Sequence, residues 1–223
     1  MSMEVKKFKD MKYIVRYPND FAENKKYPVI IFLHGAGSRG YNIKALEENP
    51  YFRETAVHNI PAVTFAPQCF ANSWFDVFGL LQEFIQTVIK HPYVDRRRVS
   101  LIGASMGAYA VWQMAMSHPE LFAAIVPICG GGMYWNAARL KEMPIWAFHG
   151  SEDPTVYPEE SIKMVERVNR CGGNAKLTIC DGVKHDSWLN AYRSSEVFEW
   201  MLSQENIKIL NGEQEFQGAE EFG

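Results

Sequence analysis

The apolar runs of this chain are short and uninterrupted, and amphipathic stripes at helical spacing separate them. That alternation constrains the fold more than any other feature. "PVIIFLH" (28–34) and "PAVTFAP" (61–67) each read as a strand buried on both faces, and "VSLIG" (99–103), "AAIVPI" (123–128), "PIWAFHG" (144–150) and "AKLTIC" (175–180) complete a set of short strands. "YIVRY" (13–17) reads as an antiparallel edge strand. Between them, Leu80, Leu81, Phe84, Ile85, Val88 and Ile89 form one stripe in a helix over 77–90. Residues 105–117, 159–169 and 194–202 carry similar patterns. Strands alternating with helices predict an α/β fold: a mostly parallel central sheet with helices on both faces. Functional groups in such folds gather at the carboxyl ends of the strands.

The 223 residues suit one domain, read here as 1–205, followed by a polar tail over 206–223. Within that tail, Asn211-Gly212 can turn a small hairpin between "IKIL" and "EQEF". The net charge of −3 gives no reason to expect a nucleic-acid partner, and Arg96-Arg97-Arg98 reads as a solvated loop before a strand. No run approaches the roughly 18 apolar residues of a membrane span. "MSMEVKKFKD" has no apolar signal-peptide run, which points to the cytoplasm. The cysteines, Cys69, Cys129, Cys171 and Cys180, lack metal-ligand spacing and read as free thiols. Pairing of Cys171 with Cys180 stays open.

The residues just past each strand carry the chemistry. The first long run ends in His34-Gly35-Ala36-Gly37, and the third ends in Gly103-Ala104-Ser105-Met106-Gly107. Asp153 follows the strand ending at 149, and His185 follows the strand ending at 180. A serine hydroxyl needs a base to become nucleophilic, imidazole titrates near neutrality, and a carboxylate fixes the imidazole tautomer. The amide of Met106 opens a helix, where it favours an anion, and that of Ala36 can supply a second donor.

Each residue has a plainer reading. Ser105 could be a small turn residue. Glu152, Asp181 and Asp186 compete with Asp153, although Asp181 follows the wrong strand. His34 orients its loop by hydrogen bonding, His149 is a packed neighbour, and His58, His91 and His118 sit near helix ends. No metal or other cofactor is expected, and the glycine loop lacks the Lys-Ser/Thr of a phosphate-binding loop. Of the aromatics in loops, Trp74, Tyr134 and Trp188 are candidates for a substrate wall.

"LHGAGSRG" (33–40), "APQC" (66–69), "DRRRVSLIGASMGAYA" (95–110), "GSEDPTV" (150–156) and "KHDSW" (184–188) together resemble the α/β-hydrolase family over roughly residues 12 to 203. The resemblance is to its compact phospholipase/carboxylesterase and polyhydroxybutyrate-depolymerase-like branch, which includes feruloyl and acetyl-xylan esterases. It implies Ser105 as nucleophile, Asp153 as acid, His185 as base, and the amides of Ala36 and Met106 at the oxyanion. One departure is Ala108, where relatives often carry a second glycine.

The expected reaction is therefore ester hydrolysis through an acyl-enzyme, on a small-molecule substrate that can be sugar-linked. The short segment "CGGGMYWNAARLKEM" (129–143) leaves no room for a cap domain, so small acyl, acetyl or hydroxycinnamoyl groups are expected over long buried chains. A prolyl-oligopeptidase-like peptidase, an acyltransferase, or a non-catalytic binding protein on the same scaffold are the alternatives. Oligomeric state is not legible in the sequence.

Overall fold

The computed structural model describes residues 2–206 and Ile209. Apart from Asn206 and Ile209, the expected polar tail lies outside them, as does the Asn211-Gly212 turn. Eight strands form one sheet in the order β1-β2-β4-β3-β5-β6-β7-β8. They are β1 (Met3–Phe8), β2 (Met11–Arg16), β3 (Tyr27–Leu33), β4 (Val63–Pro67), β5 (Val94–Ala104), β6 (Ala124–Ile128), β7 (Trp146–Gly150) and β8 (Lys176–Cys180). From β4 to β8 every pairing is parallel, whereas β2 runs antiparallel to both its neighbours, β1 and β4.

Alternation along β3 divides the core into two layers. Val29, Ile31 and Leu33 point to a layer with α3 (Phe78–Val88), α4 (Met106–Ser117) and α5 (Glu159–Arg170). Ile30 and Phe32 point to the other, with α1 (Lys44–Glu47), α2 (Pro50–Thr55), α6 (Trp188–Arg193) and α7 (Ser195–Ser203). Both faces of the strand are thus covered, as its unbroken apolar run requires, and each such side chain contributes about 1.5–3 kcal/mol by burial. The helices lie on both faces, as expected.

Two expectations need correction. The 13–17 run is not an edge: β2 is flanked by β4 and by β1, whose register pairs Val5 with Ile14. The true edge, β1, alternates lysines and glutamate with apolar residues and is largely exposed, a pattern that discourages further strand pairing. Arg96-Arg97-Arg98 is not a loop but the first part of β5, where Asp95 accepts hydrogen bonds from the side chains of Arg97 and Arg98. That local pairing offsets part of the charge of a basic run inside a strand.

Between β6 and β7 the chain forms only a 3₁₀ segment, Tyr134–Leu140, with Ala137 and Leu140 buried, so among the described residues this connection builds no cap layer over the sheet. Among the described residues, no helix is long and apolar enough to cross a membrane.

Candidate active site

Ser105 occupies the turn between β5 and α4 with φ 54° and ψ −121°. Such a conformation costs a non-glycine residue about 1–3 kcal/mol and persists only where the surroundings enforce it. Here they do. Its N–H donates to Ile128 O at 2.8 Å, and its carbonyl accepts from Ala108 N at 2.8 Å. The flanking glycines answer to β3. A methyl on Gly107 would stand 1.9 Å from Leu33 O, and one on Gly103 would stand 2.7 Å from Gly107 O. The turn is tight because the start of α4 lies directly on the end of β3. The methyl of Ala108 is accommodated by Gly130, where a Cβ would come within 2.7 Å of it.

His185 stands in hydrogen-bond reach of both neighbours. Its Nε2 lies 2.9 Å from Ser105 Oγ, and its Nδ1 lies 2.7 Å from Asp153 Oδ2. The other carboxylate oxygen, Oδ1, accepts from Thr155 N at 2.9 Å and Val156 N at 3.0 Å. Asp153 is buried, and burial alone would raise its pKa. The hydrogen bond from His185 and those from Val156 and Thr155 outweigh burial, so the carboxyl sits below its ordinary range. Gly150 makes the approach possible: a methyl there would stand 2.1 Å from Lys184 O, so the loop bearing His185 rests on bare backbone.

Cys129, buried at the end of β6 with φ 46°, adjoins this pair. Polar atoms of Cys129, Asp153 and His185 lie within 4.8 Å of one another. Burial pushes the thiol up to about 12, and the carboxylate and imidazole are already bonded to each other. The donor set is therefore not prepared for a cation.

Ala36 opens the 3₁₀ turn Ala36–Ser38, and Met106 opens α4. Amides at helix starts lack intrahelical acceptors, so neither N–H has a partner within its own helix. The loop is braced from below. His34 Nδ1–H donates to Gly35 O at 2.6 Å, and its Nε2 accepts from Cys69 N at 2.9 Å. Burial holds this imidazole down near a pKa of about 4, so it stays neutral in that tautomer. Arg39 Nε also donates to Ala36 O at 3.0 Å.

A cavity of about 630 Å³ opens beside Ser105, with Ala36, Ala45, Pro50, Thr155, Trp188 and Tyr192 among its lining. Trp188 stands edge-on to His185, with ring centroids 5.4 Å apart. Two expected wall residues are elsewhere. Trp74 is fully buried behind the loop, donating from Nε1 to His34 O at 3.0 Å. Tyr134 is 52% exposed on the 3₁₀ segment and does not reach the cavity. Pro50 and Tyr192, which the sequence did not single out, lie on α2 and α6, helices too short to show a period.

A sequence profile of the phospholipase/carboxylesterase family matches residues 63–198. Dipeptidyl-peptidase 5 of Porphyromonas gingivalis is 28% identical over 131 residues, 51% of this chain and 18% of that protein. "Probable feruloyl esterase C" of Aspergillus niger is 22% identical over 160 residues, 70% of this chain and 59% of that protein. A thermostable esterase of known structure superposes with a TM-score of 0.80 at 30% identity, covering 91% of this chain and 63% of its own. The chain thus spans less than two thirds of the length of each of these relatives.

Proposed function

The chain belongs to the phospholipase/carboxylesterase family, and on that premise we propose that it hydrolyses carboxylic esters through an acyl-enzyme on Ser105. The observation that carries this reading is the unbroken chain of contacts from Ser105 Oγ through His185 to Asp153, at 2.9 and 2.7 Å. His185 takes the hydroxyl proton as Ser105 attacks the ester carbonyl. Asp153 holds the ring with Nε2 toward the serine and stabilises the imidazolium. The amides of Ala36 and Met106 receive the oxyanion, and each such donor is typically worth about 10²–10³ in rate. His185 then gives its proton to the leaving alcohol, and water repeats the sequence to release the acid.

The cavity supports a choice of substrate class. It is uncapped, about 630 Å³ in volume and walled by Trp188, Tyr192 and Pro50. That suits acetyl or hydroxycinnamoyl groups, including those carried on sugars, better than long acyl chains. The name of the Aspergillus relative agrees with the hydroxycinnamoyl choice. The Porphyromonas match favours a second reading, cleavage of short peptides by the same three residues.

Stopped-flow hydrolysis of p-nitrophenyl acetate tests the reaction. A burst equal to the enzyme concentration, absent from Ser105→Ala, is expected. Methyl ferulate and p-nitrophenyl octanoate test the pocket, with ferulate preferred. Faster turnover of dipeptidyl p-nitroanilides than of any ester would replace the ester reading with the peptide one.

A further inference from the structure

His149 lies near the end of β7 with its side chain fully buried, and no step of the proposed hydrolysis uses it. Its Nε2 lies 2.8 Å from Val156 O and 3.4 Å from Asp153 Oδ2. Val156 O is an acceptor, so Nε2 carries a proton and donates to it, with the Asp153 carboxylate close by. Its Nδ1 lies 2.7 Å from Ser161 Oγ, which is in turn 2.9 Å from Gly130 O. A core position needs only an apolar side chain of this size, and a buried polar ring is tolerated only with its hydrogen bonds made. Every polar atom of this ring is spent on the loop that carries Asp153, or on the α5 serine that fixes the ring.

We propose that His149 is a positioning residue for Asp153, closing the 151–156 loop around the carboxylate and aiming Oδ2 at His185. The closure is a ring of contacts. Thr155 and Val156 amides hold Oδ1, the carbonyl of Val156 is held by His149, and the same Nε2–H reaches toward Oδ2. Ser161 locks the imidazole from behind. This inference rests on the proposed triad. Because His149 does not line the cavity, it acts on turnover and not on substrate binding.

The test is a double-mutant cycle on kcat and KM for p-nitrophenyl acetate, using His149→Gln, His149→Phe, Asp153→Asn and the pair Asp153→Asn with His149→Phe. A misaimed acid is expected to lower kcat by about a hundredfold with KM unchanged. In the Asp153→Asn background, His149→Phe is expected to cost nothing further. The deshielded proton NMR signal of the His185 Nδ1–H is expected to shift in both single His149 variants. Wild-type kcat in a folded His149 variant would overturn the proposal, and so would a fully additive loss in the double variant. If neither His149 variant folds, Ser161→Ala decides by the same criterion, with a kcat loss at constant KM expected and an unchanged kcat overturning. Ser105→Ala separates the two levels. Full activity there would sink the triad itself, whereas its inactivity beside a fully active His149→Gln would sink only the positioning role.

Discussion

Around Ser105 the structure is held by contact, and around Asp153 and His185 it is held largely by hydrogen bonds. At the serine turn, backbone meets backbone so closely that a methyl on Gly107 would lie 1.9 Å from Leu33 O. At Asp153, two amides and an imidazole surround one carboxylate at 2.7 to 3.0 Å. The first arrangement is insensitive to pH and salt but tolerates no added atom. The second tolerates small steric changes better but depends on protonation and on each donor. Ser105 is thus placed by the core, whereas His185 is placed by loops.

Gly107→Ala should break the contact side most severely. Its Cβ meets backbone that cannot yield, so a stability loss of about 4 kcal/mol or more is expected from urea unfolding. Asp153→Asn breaks the other side and should do the reverse. The fold is expected to survive while kcat falls by about 10⁴, as a carboxamide misdirects the imidazole tautomer. Equal stability loss in the two variants would erase the distinction.

Gly150→Ala sharpens it, because this glycine is a steric contact within the hydrogen-bonded half. Its methyl would push on Lys184 O and move His185, so kcat is expected to drop by about a hundredfold with Ser105 undisturbed. Acid titration gives a smaller effect with a definite sign. The Asp153 carboxyl is depressed in the native state, so the unfolded chain binds more protons between the two pKa values. Its stabilising contribution is full above the ordinary carboxylate range and is lost as pH falls through the native value. Urea midpoints should therefore fall more steeply toward acid in the wild type than in Asp153→Asn. Trp188→Ala should have the smallest effect, about 0.5–1.5 kcal/mol from the lost edge-on contact with His185, read as a modest change in KM and kcat.

The central parallel strands are legible because burial on both faces writes them as unbroken apolar runs, as in "VIIFL" of β3. Ser105, Asp153 and His185 were legible as positions, because each follows a strand and the strand ends share a rim. Other elements had no comparable signal. The charges of β1 conceal a strand that pairs on one side only. α1, α2 and α6, of four, six and six residues, are shorter than two helical turns, so the wall they give to the cavity could not be read. Trp74 and Tyr134 read as wall candidates because they are aromatics in loops near the strand ends, but the first is drawn inward by the carbonyl of His34 and the second faces solvent. The need for glycine at 150 depends on a loop more than thirty residues away, which no local pattern records.

The central claim is that the strained turn presents Ser105 as a nucleophile activated by His185. Intact-mass analysis after treatment with a fluorophosphonate tests it most directly. One adduct per chain, mapped to Ser105, slowed strongly in His185→Ala and absent in Ser105→Ala, is the predicted result. An unlabelled wild-type chain, or an adduct on another residue, would contradict the account.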